Sequence, residues 1–355
     1  MKQLNFFRLG VTYAGAFIGA GLVSGQELWQ FFGAYGKWGI AGLVLTIALF
    51  FLFGVLLLRF AQKSGIEEMD QIIIPWRIPA LRVASSAAAM VLLFGVYVIM
   101  AAGAGSLLQQ TLGLPRAVGG GLFCLLVLAV SFKGIHGVIT AFSWFVPILV
   151  IGSVGLSLLV LWQNGLPEFS AGQTSDNPLL GSFWFSSVTY LSYNFFGAIG
   201  LLASLHRMIP KRSTVYTGVG FGCLVLFLIA GSILAAIAAV PGATAADLPM
   251  LTVAMQVHSA VGILYAVLLL GGMFGASAVS MVAILTYTGQ KFPRWKPSWQ
   301  IPLLSLGAWL GSLAGFGDLI GIVYPVFGYV GFVALVGIVI CAIRWRKVKK
   351  EVKTA

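Results

Sequence analysis

Ten apolar stretches, each near the length of a bilayer crossing, fill most of this 355-residue chain. They run approximately over Phe7–Phe32, Gly36–Ala61, Ala84–Leu108, Ala117–Phe132, Val138–Trp162, Phe183–Met208, Val215–Val240, Val261–Gly289, Ile301–Leu313 and Leu319–Trp345. About 20 apolar residues in a helix cross the hydrocarbon of a membrane. In lipid the backbone must satisfy its own hydrogen bonds, so unbroken runs of this length fold as helices. Hydrophobic residues are 59% of the chain and charged residues 8%, which excludes a soluble domain. The longest connections, near Gln62–Arg82, Asn164–Ser182 and Pro241–Ser259, have room only for short amphipathic helices. The first stretch leads into Gly25-Gln26-Glu27 rather than a small-residue cleavage site, so it reads as a span and not a signal peptide.

The chain also repeats itself. Gly19-Ala20 in the first stretch recurs as Gly197-Ala198 in the sixth, 178 residues later. Pro147 in the fifth recurs as Pro325 in the tenth at the same offset. Five crossings per half place the second copy upside down. Inverted repeats with glycine-interrupted segments at matching positions mark secondary transporters and locate their binding sites. The expected fold is therefore an all-α integral membrane protein of ten transmembrane helices in a five-plus-five inverted repeat. The repeats cover residues 5–162 and 183–345 of a single transmembrane domain, with helices 1 and 6 broken.

The net charge of +12 is placed by this topology rather than by nucleic acid. Lys2, Arg8, Arg59, Lys63, Arg77, Arg82, Lys133, Arg207, Lys211, Arg212, Lys291, Arg294 and Lys296 fall on one side, with the basic tail from Arg344 to Lys353. Only Lys37 and Arg116 fall on the other, which puts both termini in the cytoplasm. The tail is expected to lie against anionic headgroups. Cys124, Cys223 and Cys341 sit inside stretches without metal-ligand spacing, as small apolar fillers.

No phosphate-cradling Gly-x-x-x-x-Gly-Lys, no His-Glu-x-x-His and no Gly-x-Ser-x-Gly occurs, so ATP-driven transport and enzymatic chemistry have no motif here. No cofactor is expected. What the chain offers is the first stretch, where Gly15, Gly19 and Gly21 crowd the middle beside Phe17 and are followed by Ser24 and Gly25. Glycine favours unwinding. Unwound backbone is tolerable in a membrane where it lines a cavity, and the following helix start favours an anionic group. Gly15-x-x-x-Gly19 also fits a close helix-packing face. In the sixth stretch Tyr193, Asn194, Phe195 and Gly197 are the matching candidates, Asn194 alternatively as an interhelical hydrogen bond.

Glu27 is the acidic residue well inside a stretch. Eight residues past Gly19, it is expected about 12 Å outward, near the edge of the hydrocarbon. There it is either a gating or proton-coupling group or a solvated vestibule residue. Ser277 and Ser280 share a face of the eighth stretch. Together with carbonyls near Gly19 they either hold a sodium ion or bond back to their own helix.

The run Gly19-Ala20-Gly21-Leu22-Val23-Ser24-Gly25-Gln26-Glu27 resembles the signature of the YkvI-like family of bacterial membrane proteins. That family is grouped with the amino acid–polyamine–organocation transporters of LeuT-type fold. The resemblance implies a bacterial inner (plasma) membrane location and a central site between spans 1, 3, 6 and 8. It also implies that Tyr97 in span 3 faces the substrate and that Gly19, Gly21 and Tyr193 to Gly197 supply unwound backbone. The sodium pattern of related transporters lacks one hydroxyl here, since Met281 follows Ser280, and Val138–Leu161 holds no lysine to replace it.

The expected function is secondary active transport of a small organic solute, an amino acid or similar zwitterion, coupled to sodium or protons. The same scaffold acting as a ligand sensor without net flux is the alternative. Solute and bilayer lipid are the expected partners. The sequence sets no oligomeric state.

Overall fold

The computed structural model describes residues 3–354 apart from 67–68, 75, 77, 134–135, 171–174, 210 and 293; the side chains of 133–146, 290 and 344–354 are outside the description. His136 and the basic tail expected at lipid headgroups therefore lie outside the described side chains. Every regular element described is helical. In chain order these are α1 (Phe6–Gly15), α2 (Ala20–Ser24), α3 (Gln26–Phe31), α4 (Lys37–Ser64), α5 (Met69–Ile73), α6 (Pro79–Leu112) and α7 (Arg116–Lys133). There follow α8 (His136–Asn164), α9 (Phe183–Ser204), α10 (Arg212–Ala239), α11 (Pro249–Val257), α12 (Ser259–Lys291), α13 (Pro297–Ser312) and α14 (Phe316–Thr354).

Local chemistry sets the ends. Asn5 caps α1 by accepting from the Arg8 N–H at 2.8 Å. Proline opens α6, α11 and α13, where its missing N–H is harmless. All ten apolar stretches are helical, and the first and third long connections carry the short helices α5 and α11. Among the described residues seven helices are long and apolar enough to cross a membrane; α7 is a shorter apolar helix and α13 has 16 residues. Large apolar side chains such as Ile151, Leu264 and Val91 point outward. With so many apolar helices, the chain is a multi-pass membrane protein.

One expectation is corrected. The sixth stretch is not broken: α9 runs without interruption from Phe183 to Ser204, through Asn194 and Gly197. The Asn194 amide donates to the Tyr190 carbonyl one turn back, at 2.9 Å, within its own helix. Phe195 and Phe196 are buried and pin the segment on either side. Two glycines spaced three apart in so anchored a helix do not unwind it.

A shift of 178 residues carries α4 to α10, α5 to α11, α6 to α12, α7 to α13 and α8 to α14, and relates α1–α2 to α9. Packed pairs map onto packed pairs. Helix α4 lies on α9 and α10 on α1; α4 on α14 and α10 on α8; α5 on α14 and α11 on α8; α6 on α9 and α12 on α2. The pairs α6–α12, α7–α13 and α4–α10 map onto themselves. Small residues permit the closest approaches, as membrane helices require. A Cβ at Gly222 would stand 2.7 Å from the Gly10 carbonyl oxygen between α10 and α1.

Candidate functional site at the broken first span

Helix α1 ends at Gly15 and helix restarts only at Ala20, with Gly19 extended at φ −121° and ψ 172°. The N–H groups of Phe17 and Ile18 fold back to the Ala14 carbonyl at 3.0 and 3.2 Å. Among the described residues, no hydrogen bond ends on the carbonyls of Gly15, Ala16, Phe17 or Ile18, or starts from the N–H groups of Gly19 to Leu22. Gly15 and Gly19 are exposed, and a Cβ at either would meet no atom within 4 Å. Gly15-x-x-x-Gly19 is thus no packing face. It borders open space with unpaired backbone.

Gly21 differs. A Cβ there would stand 2.6 Å from Glu27 Oε2. The Ser24 hydroxyl, fully buried, donates to the Gly21 carbonyl at 2.8 Å. Helix α2 then ends at Gly25, whose φ of +84° is the left-handed region open to glycine. That turn starts α3, and side chains lean toward a helix's N-terminus. Glu27 therefore reaches back over Gly21.

This overturns the depth estimate for Glu27. It is no vestibule residue at the membrane edge but is 5% exposed. Tyr193 of α9 donates its hydroxyl to Glu27 Oε1. Tyr190 and Tyr324 face the same carboxyl. The Tyr193 and Tyr324 rings stack at 4.7 Å and 9°, Tyr190 meets Tyr193 edge-on at 5.4 Å, and Phe31 packs on both α9 tyrosines. The straight-helix extrapolation failed because it ignored the turn at Gly25.

Below this cage Phe17 meets Phe195 at 5.4 Å and Phe50 of α4 at 4.5 Å. Phe17, Phe50 and Tyr190 border a cavity of ≈ 10 Å³, room for about one water molecule. Gly197 is exposed, with Leu92 of α6 as its near neighbour. Tyr97 is buried and donates to Ser305 of α13 at 3.1 Å. On α12, Tyr265 donates to the Val23 carbonyl at 2.7 Å and meets the Ser153 hydroxyl at 2.9 Å. A Cβ at Gly272 would stand 3.6 Å from that of Ala20, so α12 runs antiparallel to α2. Ser277, about 7–8 Å further along at 1.5 Å per residue, comes level with the break. Its hydroxyl donates back to the Met273 carbonyl at 2.9 Å; Ser280 is buried one turn beyond.

Polar contacts also join the connecting segments at one end of the helices. Arg116 pairs with Asp247 at 3.0 Å, and Ser106 donates to Asp247 at 2.8 Å. Gln30 donates to the Gly317 carbonyl at 2.8 Å. Pro325 has no N–H to offer the Gly321 carbonyl, and the Asn177 amide donates to it instead, at 2.8 Å. Sequence reasoning missed Tyr190, Tyr265 and Tyr324. Only Tyr190 carried a local signal, lying three residues before Tyr193 on one helix face.

No family model matches the chain. Two Bacillus subtilis (strain 168) proteins are similar to it over nearly their whole length. The uncharacterized membrane protein YkvI is 25% identical over 338 residues, covering 94% of this chain and 95% of that protein. The uncharacterized protein YyaD is 27% identical over 361 residues, covering 94% and 96%. Among solved structures, the inward facing conformation of Mhp1 matches with a TM-score of 0.62 at 16% identity, over 95% of this chain and 78% of that one. At that identity the likeness is one of fold.

Proposed function

We propose that the protein is a secondary active transporter that carries a small organic solute by alternating access, with the solute bound at the break between α1 and α2. The observation that carries this reading is the run of unpaired carbonyls from Gly15 to Ile18 and unpaired N–H groups from Gly19 to Leu22, with open space at Gly15 and Gly19. Unsatisfied backbone at membrane depth is expected where it lines a cavity. The exchange of packed pairs under the 178-residue shift supports two halves of five spans, and the one-sided placement of Lys and Arg supports cytoplasmic termini. The fold shared with Mhp1, a LeuT-fold transporter, supports the same architecture.

An amino acid or similar zwitterion suits the site. Its carboxylate would be held by the free N–H groups and its body by Phe17 and Phe195. In this conformation the outer end is closed by α3, Gln30, Asn177 and the Arg116–Asp247 pair, while Gly15 and Gly19 lie open. Sodium coupling draws little support, because the Ser277 hydroxyl donates to its own helix. The reading is tested with single cysteines at Gly19 and Ser24 and an impermeant thiol reagent. Gly19→Cys is expected to react from the cytoplasmic side and Ser24→Cys from outside, and a solute that slows one should quicken the other. Simultaneous reaction of both from one side would instead mark a continuous pore.

A further inference from the structure

Glu27 holds a buried carboxyl with no cation beside it. From α9 the titratable groups facing it are Tyr190 and Tyr193, and from α14 Tyr324. From α2 it meets Gly21. On the α10 flank, beside Gly25, stands the apolar Ile237. No described Lys, Arg or His acts on it. An ionised carboxylate removed from water in such surroundings is costly unless a positive charge joins it.

The cage also limits what that charge is. The stacked Tyr193 and Tyr324 rings stand 4.7 Å apart, and Oε2 lies so near the Gly21 backbone that not even a Cβ would fit between. An organic ammonium has no room. Among the described residues no group of three His, Cys, Asp or Glu side chains is placed to hold a metal. A proton needs no added room and fits.

We propose that Glu27 is a proton-binding site whose occupancy holds the outer half of the first span shut. With α3 packed on α9 and α14, the proton sits on Oε2 and Tyr193 donates to Oε1. When α3 separates, the O–H bond breaks, the proton passes to external water, and the carboxylate is hydrated; the tyrosines stay neutral throughout. Closing reverses each step. By linkage, acid outside favours the closed form, and one proton changes the closed-to-open ratio by up to about tenfold per pH unit. The movement of α3 rests on the alternating-access reading; the protonation of the closed form does not.

Two measurements on the purified full chain in nanodiscs test this without any solute. Infrared spectroscopy at neutral pH should show the C=O stretch of a protonated carboxylic acid that Glu27→Gln removes. Tyr193→Phe, the second variant should Glu27→Gln not fold, should keep the band but shift it, because one bond to Oε1 is lost. Labelling of Ser24→Cys, expressed as its rate relative to the same cysteine with Glu27→Gln, should rise up to about tenfold per pH unit with increasing pH. The ratio cancels the thiol's own titration. A band absent from the wild type, or insensitive to both variants, would overturn the protonation. A flat labelling ratio would overturn the latch. Failure of transport alone would leave the band in place, so the two readings fail separately.

Discussion

Gly21→Ala probes the contact on which the site turns. The new Cβ would stand 2.6 Å from Glu27 Oε2, well inside van der Waals contact. The backbone of α2 cannot easily retreat, because Ser24 holds the Gly21 carbonyl at 2.8 Å and Tyr265 holds that of Val23 at 2.7 Å. The carboxyl must move, and moving it breaks the bond from Tyr193. Between neutral partners such a bond contributes about 0.5–1.5 kcal/mol, and residual overpacking adds about 1 kcal/mol. The expected loss is therefore about 1.5–2.5 kcal/mol. In a Glu27→Ala background the same Cβ next meets Tyr324 Oη at 3.4 Å, an ordinary contact. There the change should cost less than about 0.5 kcal/mol, giving a coupling of about 1–2.5 kcal/mol. Thermal unfolding of the four variants in detergent measures it, at roughly 2 °C or less per kcal/mol for a chain of this size. Equal Tm losses in the two backgrounds would refute the contact between Gly21 and Glu27.

Gly19→Ala should leave thermal stability unchanged, since its Cβ meets nothing within 4 Å, yet weaken solute binding in a thermal-shift titration; a stability loss would return Gly19 to a packing role. Tyr265→Phe removes the bond to the Val23 carbonyl and the contact with Ser153, and should lower stability by about 1–2 kcal/mol in the same melts. Arg116→Ala removes a pair whose arginine is 53% exposed, so stability should change by less than about 1 kcal/mol, while Ser24→Cys should label faster from outside. Cysteines replacing Gln3 and Thr354 should both react only from the cytoplasmic face; opposite sides would require an odd number of spans.

Long apolar runs leave the backbone one solution, so all ten stretches were legible as helices from composition alone. The 178-residue offset was legible because Gly19-Ala20 and Pro147 both recur at it. The same dipeptide misled at its second occurrence. Around Gly19 three glycines fall within seven positions and the helix opens; around Gly197 the neighbours are Tyr193, Phe195 and Phe196, whose rings anchor α9. Helix integrity there depends on partners across the fold, Phe17 and Phe50 among them, which no local pattern records. Glu27 was visible as an unusual carboxyl, but its cage was not. It requires the left-handed turn at Gly25 and tyrosines from two helices, one of them 297 positions away at Tyr324.

Counterflow in proteoliposomes tests the central claim most directly. Vesicles holding the purified chain are loaded with unlabelled amino acids identified by thermal shift, then diluted into trace radiolabelled solute. A carrier working by alternating access should accumulate label transiently above its external level, and Gly19→Leu, whose side chain enters the open space at the break, should abolish this while still reaching the membrane folded. Saturable binding without any overshoot, or accumulation unchanged by Gly19→Leu, would contradict a transported solute at the broken first span.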